Sequence, residues 1–175
     1  MKITQSKPGV FTSDDPIVAV SRDMIEALKD AARRSPQKRA RFCAHPDNHN
    51  PIHEMLIVLA RDTYICPHKH PAKSESFHVI EGLGKVVIFD EAGQIVKVIN
   101  LGDDRSGRSF FYRISAPYYH TVIVESDSLM IHETTNGPFR PEERQFAPWA
   151  PSENDTARRR DYMGQLKDTL AEFPK

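Results

Sequence analysis

The amino-acid sequence predicts an all-β protein, a β-sandwich or barrel of the jelly-roll kind, with a short helix near each end. Between residues 55 and 134, short segments rich in β-branched and aromatic residues alternate with turn residues such as Gly, Asp and Ser. Helical periodicity is confined to the flanking segments. The chain has 175 residues, which fits one domain with its own core.

The first element is a predicted helix from Ser21 to Ala32. Ser21 is a suitable N-cap, and Ile25, Leu28 and Ala32 recur at helical spacing. Ser35-Pro36 ends the helix, because the residue before a proline avoids helical dihedral angles. The prolines at positions 46 and 51 then predict an ordered loop over residues 43–52.

Seven short strands are predicted next, separated by turns at residues 81–84, 91–93, 102–104 and 126–128. Strands of this length and spacing are typical of jelly-roll barrels. The predicted strands are Met55–Leu59, Phe77–Glu81, Lys85–Asp90, Ile95–Leu101, Ser109–Ile114, Thr121–Glu125 and Leu129–Thr134.

The last element is a second helix, for which Ser152-x-x-Asp155 is a capping-box pattern. Its apolar stripe is expected to pack on the barrel and consists of Met163, Leu166, Leu170 and Phe173. We therefore expect an N-terminal helical extension over residues 1–40, a β-barrel over 41–150 and a C-terminal helix over 151–175.

Composition excludes several classes of function. Lys plus Arg and Asp plus Glu each number 24, so the formal net charge is zero. Neutrality argues against nucleic-acid or anionic-membrane partners, which are attracted by clustered positive charge. The basic stretches 33–41 and 158–160 are interpreted as solvated faces, with phosphate binding as the alternative.

The sequence also predicts a location for the protein. The longest apolar run, residues 55–60, is far shorter than the about 20 residues of a membrane span, and residues 1–5 have no apolar signal core. Two cysteines, Cys43 and Cys66, do not form a disulfide framework. We expect reduced thiols and a cytoplasmic protein.

The most informative residues are His68, His70, Glu75 and His120. His68 and His70 are two positions apart, so in an extended strand they point to the same side. Three neutral imidazoles and one carboxylate suit a divalent first-row metal such as Fe, Mn, Zn or Ni. Four protein ligands leave positions open on a five- or six-coordinate metal, as a catalytic or ligand-binding site requires.

The pattern His68-x-His70-x4-Glu75-x6-Gly82 resembles the first metal-binding motif of the cupin superfamily. The motif's opening glycine is Asp62 here. The second motif, Pro-x-Gly-x-x-His, is Ser115-Ala116-Pro117-Tyr118-Tyr119-His120 and keeps only the histidine. The resemblance implies a cupin jelly-roll (double-stranded β-helix) barrel in which these three histidines and Glu75 hold the metal.

Over roughly residues 40–155 the chain also resembles the WbuC family of cupin-fold metalloproteins. This resemblance is carried by five stretches, namely residues 63–70, 87–93, 119–121 and 137–139 together with Phe146-Ala147-Pro148-Trp149-Ala150-Pro151. It implies a context in bacterial surface-polysaccharide (O-antigen) biosynthesis but names no substrate. A small sugar or sugar nucleotide is our hypothesis for the ligand in that context. A homodimer is also expected, because cupins commonly cover their exposed sheet edges in this way.

Three functional classes remain open from the sequence. The first is a metalloenzyme, either an isomerase or epimerase or a dioxygenase. The second is a non-catalytic module that senses or carries a small anionic ligand at the metal, and the third is a structural metal that links strands. An isomerase needs a proton shuttle, for which the candidates are Glu133, Tyr118 and His132. Glu133 shares the inward parity of Leu129 and Ile131, and Arg113 or Arg61 is its expected charge partner.

Several other residues are expected to stay outside the metal site. Cys66 has the parity of His68 but is interpreted as a small buried residue. His78 is predicted to face away from the barrel interior. A second site formed by His45, His49 and His53 is disfavoured by the prolines beside them, and Trp149 is assigned to packing.

Overall fold

In the computed structural model, which describes residues 1–173, the chain forms twelve strands and two α-helices. The helices are α1 (Arg22–Arg34) and α2 (Thr156–Glu172). The strands are β1 (Thr4–Lys7), β2 (Val10–Thr12), β3 (Arg39–Cys43), β4 (Ile52–Ala60), β5 (His68–Lys69), β6 (Glu75–Glu81), β7 (Leu83–Phe89), β8 (Ile95–Gly102), β9 (Phe111–Ile114), β10 (Tyr119–Val124), β11 (Ser128–Asn136) and β12 (Gln145–Phe146).

The strands form two sheets that enclose the core. The seven-stranded sheet has the order β1-β2-β3-β4-β11-β6-β9, and the five-stranded sheet has the order β12-β5-β10-β7-β8. Every pair is antiparallel except β2 with β3. The predicted all-β jelly-roll barrel is therefore confirmed.

Side-chain alternation determines what fills the barrel and what covers it. On β7, Val86 and Ile88 join the barrel core, whereas Val87 and Phe89 point outward toward α2. The buried interior residues from both sheets are Leu59, Phe77, Val79, Val86, Ile88, Leu101, Tyr112, Val122, Leu129 and Ile131.

Helix α1 covers the outer face of the larger sheet. The Ser21 Oγ accepts a hydrogen bond from the Met24 amide at 3.4 Å, which confirms the predicted N-cap. Leu28 and Ala32 are buried against outward-facing residues of β3, β4 and β11. The helix extends two residues beyond the predicted end, to Arg34, and ends before Pro36.

Helix α2 covers the smaller sheet, but its N-cap is Asp155 rather than Ser152. The Asp155 carboxylate accepts from the Arg158 amide at 3.1 Å, while the Ser152 carbonyl accepts from the Asp155 amide. Ser152 thus belongs to the turn before the helix. Leu166 and Leu170 are buried in the predicted stripe, and the final two residues of the expected segment 151–175 lie outside the described part of the chain.

The seven predicted strands all exist, with no end shifted by more than three residues. The prediction missed β1, β2, β3, β5 and β12, because strands of two to five residues give almost no alternation signal. Strand β3 crosses the expected boundary at residue 40, so residues 1–40 contribute strands to the larger sheet as well as a helix. Within residues 1–173, no helix is both long and apolar enough to span a bilayer.

Candidate metal centre

The two sheets bring His68, His70, Glu75 and His120 together at one end of the barrel. His68 on β5 and His120 on β10 are paired neighbours in the smaller sheet, with ring centroids 4.7 Å apart. Glu75 begins β6 in the opposite sheet. One ligand atom from each of the four residues lies within 4.8 Å of the others, so the cluster predicted from spacing forms in the structure.

The Glu75 carboxylate faces the imidazoles across the gap between the sheets. Its Oε1 lies 3.3 Å from His120 Nε2, and its Oε2 lies 3.7 Å from His70 Nε2. The Tyr112 hydroxyl donates to Glu75 Oε1 at 3.3 Å. Tyr112 was missed from the sequence, although its inward parity with Ile114 on a predicted strand could have revealed it.

Hydrogen bonds behind two of the imidazoles prepare them to bind a cation. His68 Nδ1 donates to the Cys66 carbonyl at 2.9 Å, and His120 Nδ1 donates to the Tyr118 carbonyl at 3.1 Å. A proton on Nδ1 leaves the Nε2 lone pair free, which is the usual arrangement of metal-binding histidines. His120 Nε2 is buried without a well-aligned hydrogen bond, so a metal fits this donor set.

Burial and mutual proximity perturb the pKa values of all four residues. Burial lowers the pKa of His68 to about 3 and also lowers that of His70. Burial opposes ionisation of Glu75, but His120 and the other imidazoles outweigh it and lower the pKa to about 2. Burial likewise opposes protonation of His120, yet Glu75 raises its pKa. Two neutral imidazoles and a carboxylate are therefore in the form that binds metal.

Glu133 lies inside the barrel, one row of the sheet away from the cluster. On the larger sheet, Met55, Glu133 and Phe77 are cross-strand neighbours, and the adjacent row contains Thr135 and Glu75. The predicted inward orientation of Glu133 therefore agrees with the structure. Burial and then the nearby Glu75 raise the pKa of Glu133 well above its ordinary value.

The expected partners of Glu133 are wrong. Arg113 points outward and donates to Ser74 Oγ, and Arg61 pairs with the exposed Asp127. The positive charges that act on Glu133 belong instead to Arg41 and Arg144. These two arginines are far from Glu133 in sequence, so parity along a single strand could not identify them.

We expect a Glu133→Gln variant of the metal-free protein to lose less stability than wild type as pH rises. An unfolded Glu titrates near about 4.3, and the folded Glu133 has a raised pKa. Its stabilising contribution is therefore complete below the unfolded pKa and is lost as pH rises through the folded pKa. Glutamine cannot ionise, so this loss disappears.

Urea unfolding of both proteins between pH 5 and 8 measures the effect, with Glu54→Gln on the outer sheet face as control. The stability of Glu133→Gln relative to wild type should increase steadily with pH. Parallel curves for the two proteins would show that the buried carboxyl is not protonated in the fold.

His132 and Tyr118 differ from Glu133 in position. His132 lies on the outer face of the larger sheet, where its Nε2 is 3.7 Å from Glu54 Oε1, so its imidazole cannot serve as a proton shuttle for the interior cluster. Tyr118 directly precedes β10 and is 48% exposed. Its backbone carbonyl orients His120, and no hydrogen bond of its hydroxyl is found within residues 1–173.

The remaining candidates lie outside the cluster. Cys66 is a buried free thiol whose carbonyl orients His68, and burial raises its pKa. His78 is exposed on the outer face. His45 and His53 are buried, and their stacked rings have centroids 4.0 Å apart. Among the described residues, neither belongs to a cluster of side chains that could hold a metal ion. Trp149 packs against Phe89 with centroids 5.0 Å apart.

Comparison with solved structures shows that this barrel has the cupin fold. Oxalate oxidase in complex with the substrate analogue glycolate aligns with 15% identity and a TM-score of 0.51, over 70% of this chain and 61% of that one. The cupin domain of Cnp3 from Schizosaccharomyces pombe aligns with 10% identity and a TM-score of 0.45, over 58% of this chain and 66% of that one. This chain thus spans about six tenths of the length of oxalate oxidase.

CapF in complex with the inhibitor 3-isopropenyl-tropolone aligns with 18% identity and a TM-score of 0.48, over 62% of this chain and 30% of that one. A family model described as a domain of unknown function (DUF6016) matches residues 20–101. A comparison with curated proteins found no match. The chain is a cupin-fold protein with a candidate metal centre of three histidines and one glutamate.

Proposed function

We propose that this protein uses a divalent metal at His68, His70, Glu75 and His120 to bind a small, oxygen-rich ligand, a sugar or sugar nucleotide of bacterial surface-polysaccharide biosynthesis. The observation that carries the proposal is the convergence of four ligand atoms within 4.8 Å, drawn from both sheets. The sugar and its biosynthetic context are supported by the sequence resemblance to the WbuC family.

The protein supplies orientation around this metal. The carbonyls of Cys66 and Tyr118 fix two imidazoles, and the Tyr112 hydroxyl fixes the carboxylate of Glu75. A bound divalent cation with open coordination positions would polarise ligand hydroxyl or carbonyl oxygens. Four protein ligands leave such positions free, which favours ligand binding over a closed structural site.

Glu133 gives the site a group that can hold a proton. Its carboxyl lies inside the barrel and is not one of the four cluster residues. Burial keeps it protonated at a pH where an exposed glutamate is ionised. In an isomerase or epimerase, Glu133 is the residue we propose for proton transfer.

We also propose that the chain forms a homodimer and acts in the cytoplasm. The edge strand β9 carries the exposed Phe111, preceded by the exposed Phe110. Paired edges would cover such side chains. Cys43 and Cys66 are both free, in keeping with a reducing compartment.

Calorimetric titration of the metal-loaded and metal-free proteins with UDP-glucose and related nucleotide sugars tests the proposal. We expect binding by the metal-loaded protein and at least tenfold weaker binding without metal. Equal binding by both forms, or a protein that takes up no divalent metal, would contradict it.

Product analysis of the same mixtures, with and without oxygen, separates the functional classes. Product formation identifies an enzyme and excludes a purely binding role. Activity that persists without oxygen identifies an isomerase or epimerase and excludes a dioxygenase, whereas tight binding without product identifies a binding module.

A further inference from the structure

Strand β3 places arginines on the inner face of the larger sheet. Ala40 and Phe42 are buried under α1 on its outer face, so Arg39 and Arg41 have the opposite, inward parity. Arg39 donates to the Glu153 carboxylate at 2.7 Å and to the Tyr64 carbonyl at 3.3 Å. Its charge is therefore already paired.

A third arginine reaches the same region from the other sheet. The Arg144 guanidinium lies 4.7 Å from the centre of the Phe146 ring. Phe146 on β12 pairs with His68 on β5, and their ring centroids are 6.3 Å apart. The Phe146 ring therefore lies between the Arg144 guanidinium and His68, one of the four residues of the candidate metal site.

Arg41 and Arg144 have no carboxylate of their own. Among the ion pairs of residues 1–173, neither guanidinium has an acidic partner within 4.0 Å. The charges of Arg39 and Arg41 reach Arg144 and, with burial, lower its pKa despite the opposing effect of Glu153. Guanidinium groups that face the same region and have no acidic partner in the protein favour the binding of an anion.

The interior carboxyl of Glu133 forms no ion pair with either arginine. Glu133 lies on the inner face of the same sheet as Arg41, beside Met55 and Phe77, and it is absent from the ion pairs of residues 1–173. The region beside the cluster therefore carries two guanidinium groups without an acidic partner. A divalent cation at the cluster would add further positive charge.

We propose that Arg41 and Arg144 form an anion-binding subsite beside the metal cluster, which holds the phosphate or carboxylate of the ligand while its hydroxyl or carbonyl oxygens face the metal. This inference rests on the proposed function and specifies the ligand as an acidic one. Guanidinium groups bind both oxyanions through paired, charge-assisted hydrogen bonds. Arg41 is exposed, so the subsite is open to a ligand from solvent.

Three matched probes test the subsite on the metal-loaded protein, namely glycerol 3-phosphate, glycerate and glycerol. All three probes carry hydroxyl groups, but glycerol 3-phosphate has a phosphate, glycerate has a carboxylate and glycerol has no acidic group. The acidic probe that binds more tightly therefore shows whether the subsite prefers phosphate or carboxylate. The variants are Arg41→Gln and Arg144→Gln, with Arg105→Gln as control. Arg105 is exposed in the loop before β9, at the opposite end of the barrel from Glu75.

We expect wild type to bind at least one acidic probe at least tenfold more tightly than glycerol, and less tightly as salt rises. Arg41→Gln and Arg144→Gln should each raise the Kd for that probe about tenfold, because each removes a charge-assisted contact. Their metal content, and the affinity of Arg105→Gln, should equal those of wild type.

Two outcomes overturn the subsite: neither acidic probe binds more tightly than glycerol, or the Arg41 and Arg144 variants bind like wild type. Failure of the proposed function gives a different result, since the wild-type protein then takes up no metal. Binding of an acidic probe that depends on Arg41 and Arg144 would still support the subsite in that metal-free protein.

Discussion

Glu75→Ala is expected to purify with little bound metal and to bind added divalent cation at least about 100-fold more weakly than wild type. The carboxylate is the single anionic ligand in the cluster, and its oxygens lie 3.3 Å and 3.7 Å from the Nε2 atoms of His120 and His70. Loss of an orienting partner outside the ligand set costs 10–100-fold in affinity, approximately, so loss of a ligand itself should cost more. His70→Ala should behave in the same way.

Elemental analysis of the purified proteins and a metal titration of the metal-free forms measure this effect. His78→Ala and His132→Ala are the matched controls, because both remove an imidazole from the outer face of the same sheet. Their metal content should equal that of wild type. Full metal content in the Glu75 and His70 variants would refute the proposed site. Metal loss in the His78 and His132 variants would show instead that the metal binds on the outer face of the sheet.

The cluster could be predicted because its geometry is largely local. Two-residue spacing places His68 and His70 on one side of an extended segment, and Glu75 follows after one turn. His120 required more, since its place beside His68 depends on the pairing of β10 with β5. The histidine of the second motif nevertheless identified it, although the rest of that motif is absent.

The surroundings of the cluster could not be predicted, because they depend on how distant strands meet. The alternation of side chains along β11 placed Glu133 inside the barrel. The positive charges that act on it, however, come from Arg41 on β3 and from Arg144 in the segment before β12. Neither short strand had been predicted. Those strands are held by pairing with longer neighbours, and such tertiary support leaves little trace in local composition.

The argument from net charge counts against nucleic-acid and anionic-membrane partners, but it does not extend to small anions. A formal charge of zero over 175 residues describes the whole surface and its long-range field. It does not describe Arg41 and Arg144, which have no acidic partner within 4.0 Å among residues 1–173 and for which we propose anion binding. A neutral protein can therefore bind a small anion where the fold separates a few charges from their counterions.

A large loss of stability is expected when Gly82, the last residue of the first metal-binding motif, is replaced by alanine. Gly82 joins β6 to β7 with a φ of 94°, a conformation that costs an alanine about 1–2 kcal/mol. An added Cβ would also lie 2.2 Å from the Ser128 carbonyl oxygen and 2.8 Å from Ser126 Oγ. Ser126 Oγ accepts from the Leu83 amide at 2.8 Å, so relief of the clash would break the contact between two turns.

We expect Gly82→Ala to lower the free energy of unfolding by about 4 kcal/mol, at the upper end of single substitutions. Gly107→Ala is the matched control, because Gly107 also has a positive φ, of 71°, but its added Cβ would meet no atom within 4 Å. That variant should lose about 1 kcal/mol from backbone strain. Urea unfolding measures both, and equal losses would show that Gly82 is needed for its φ rather than for the close approach.

Metal content separates the roles of the motif residues. Gly82 and Glu75 lie at opposite ends of β6, seven residues apart and thus about 23 Å along an extended strand. The folded fraction of the Gly82→Ala protein should therefore bind metal as tightly as wild type. The Glu75→Ala protein, in contrast, should fold but bind little metal. We therefore propose that the glycine of the motif stabilises the barrel at the end remote from the cluster, and that the three histidines and Glu75 are the metal ligands.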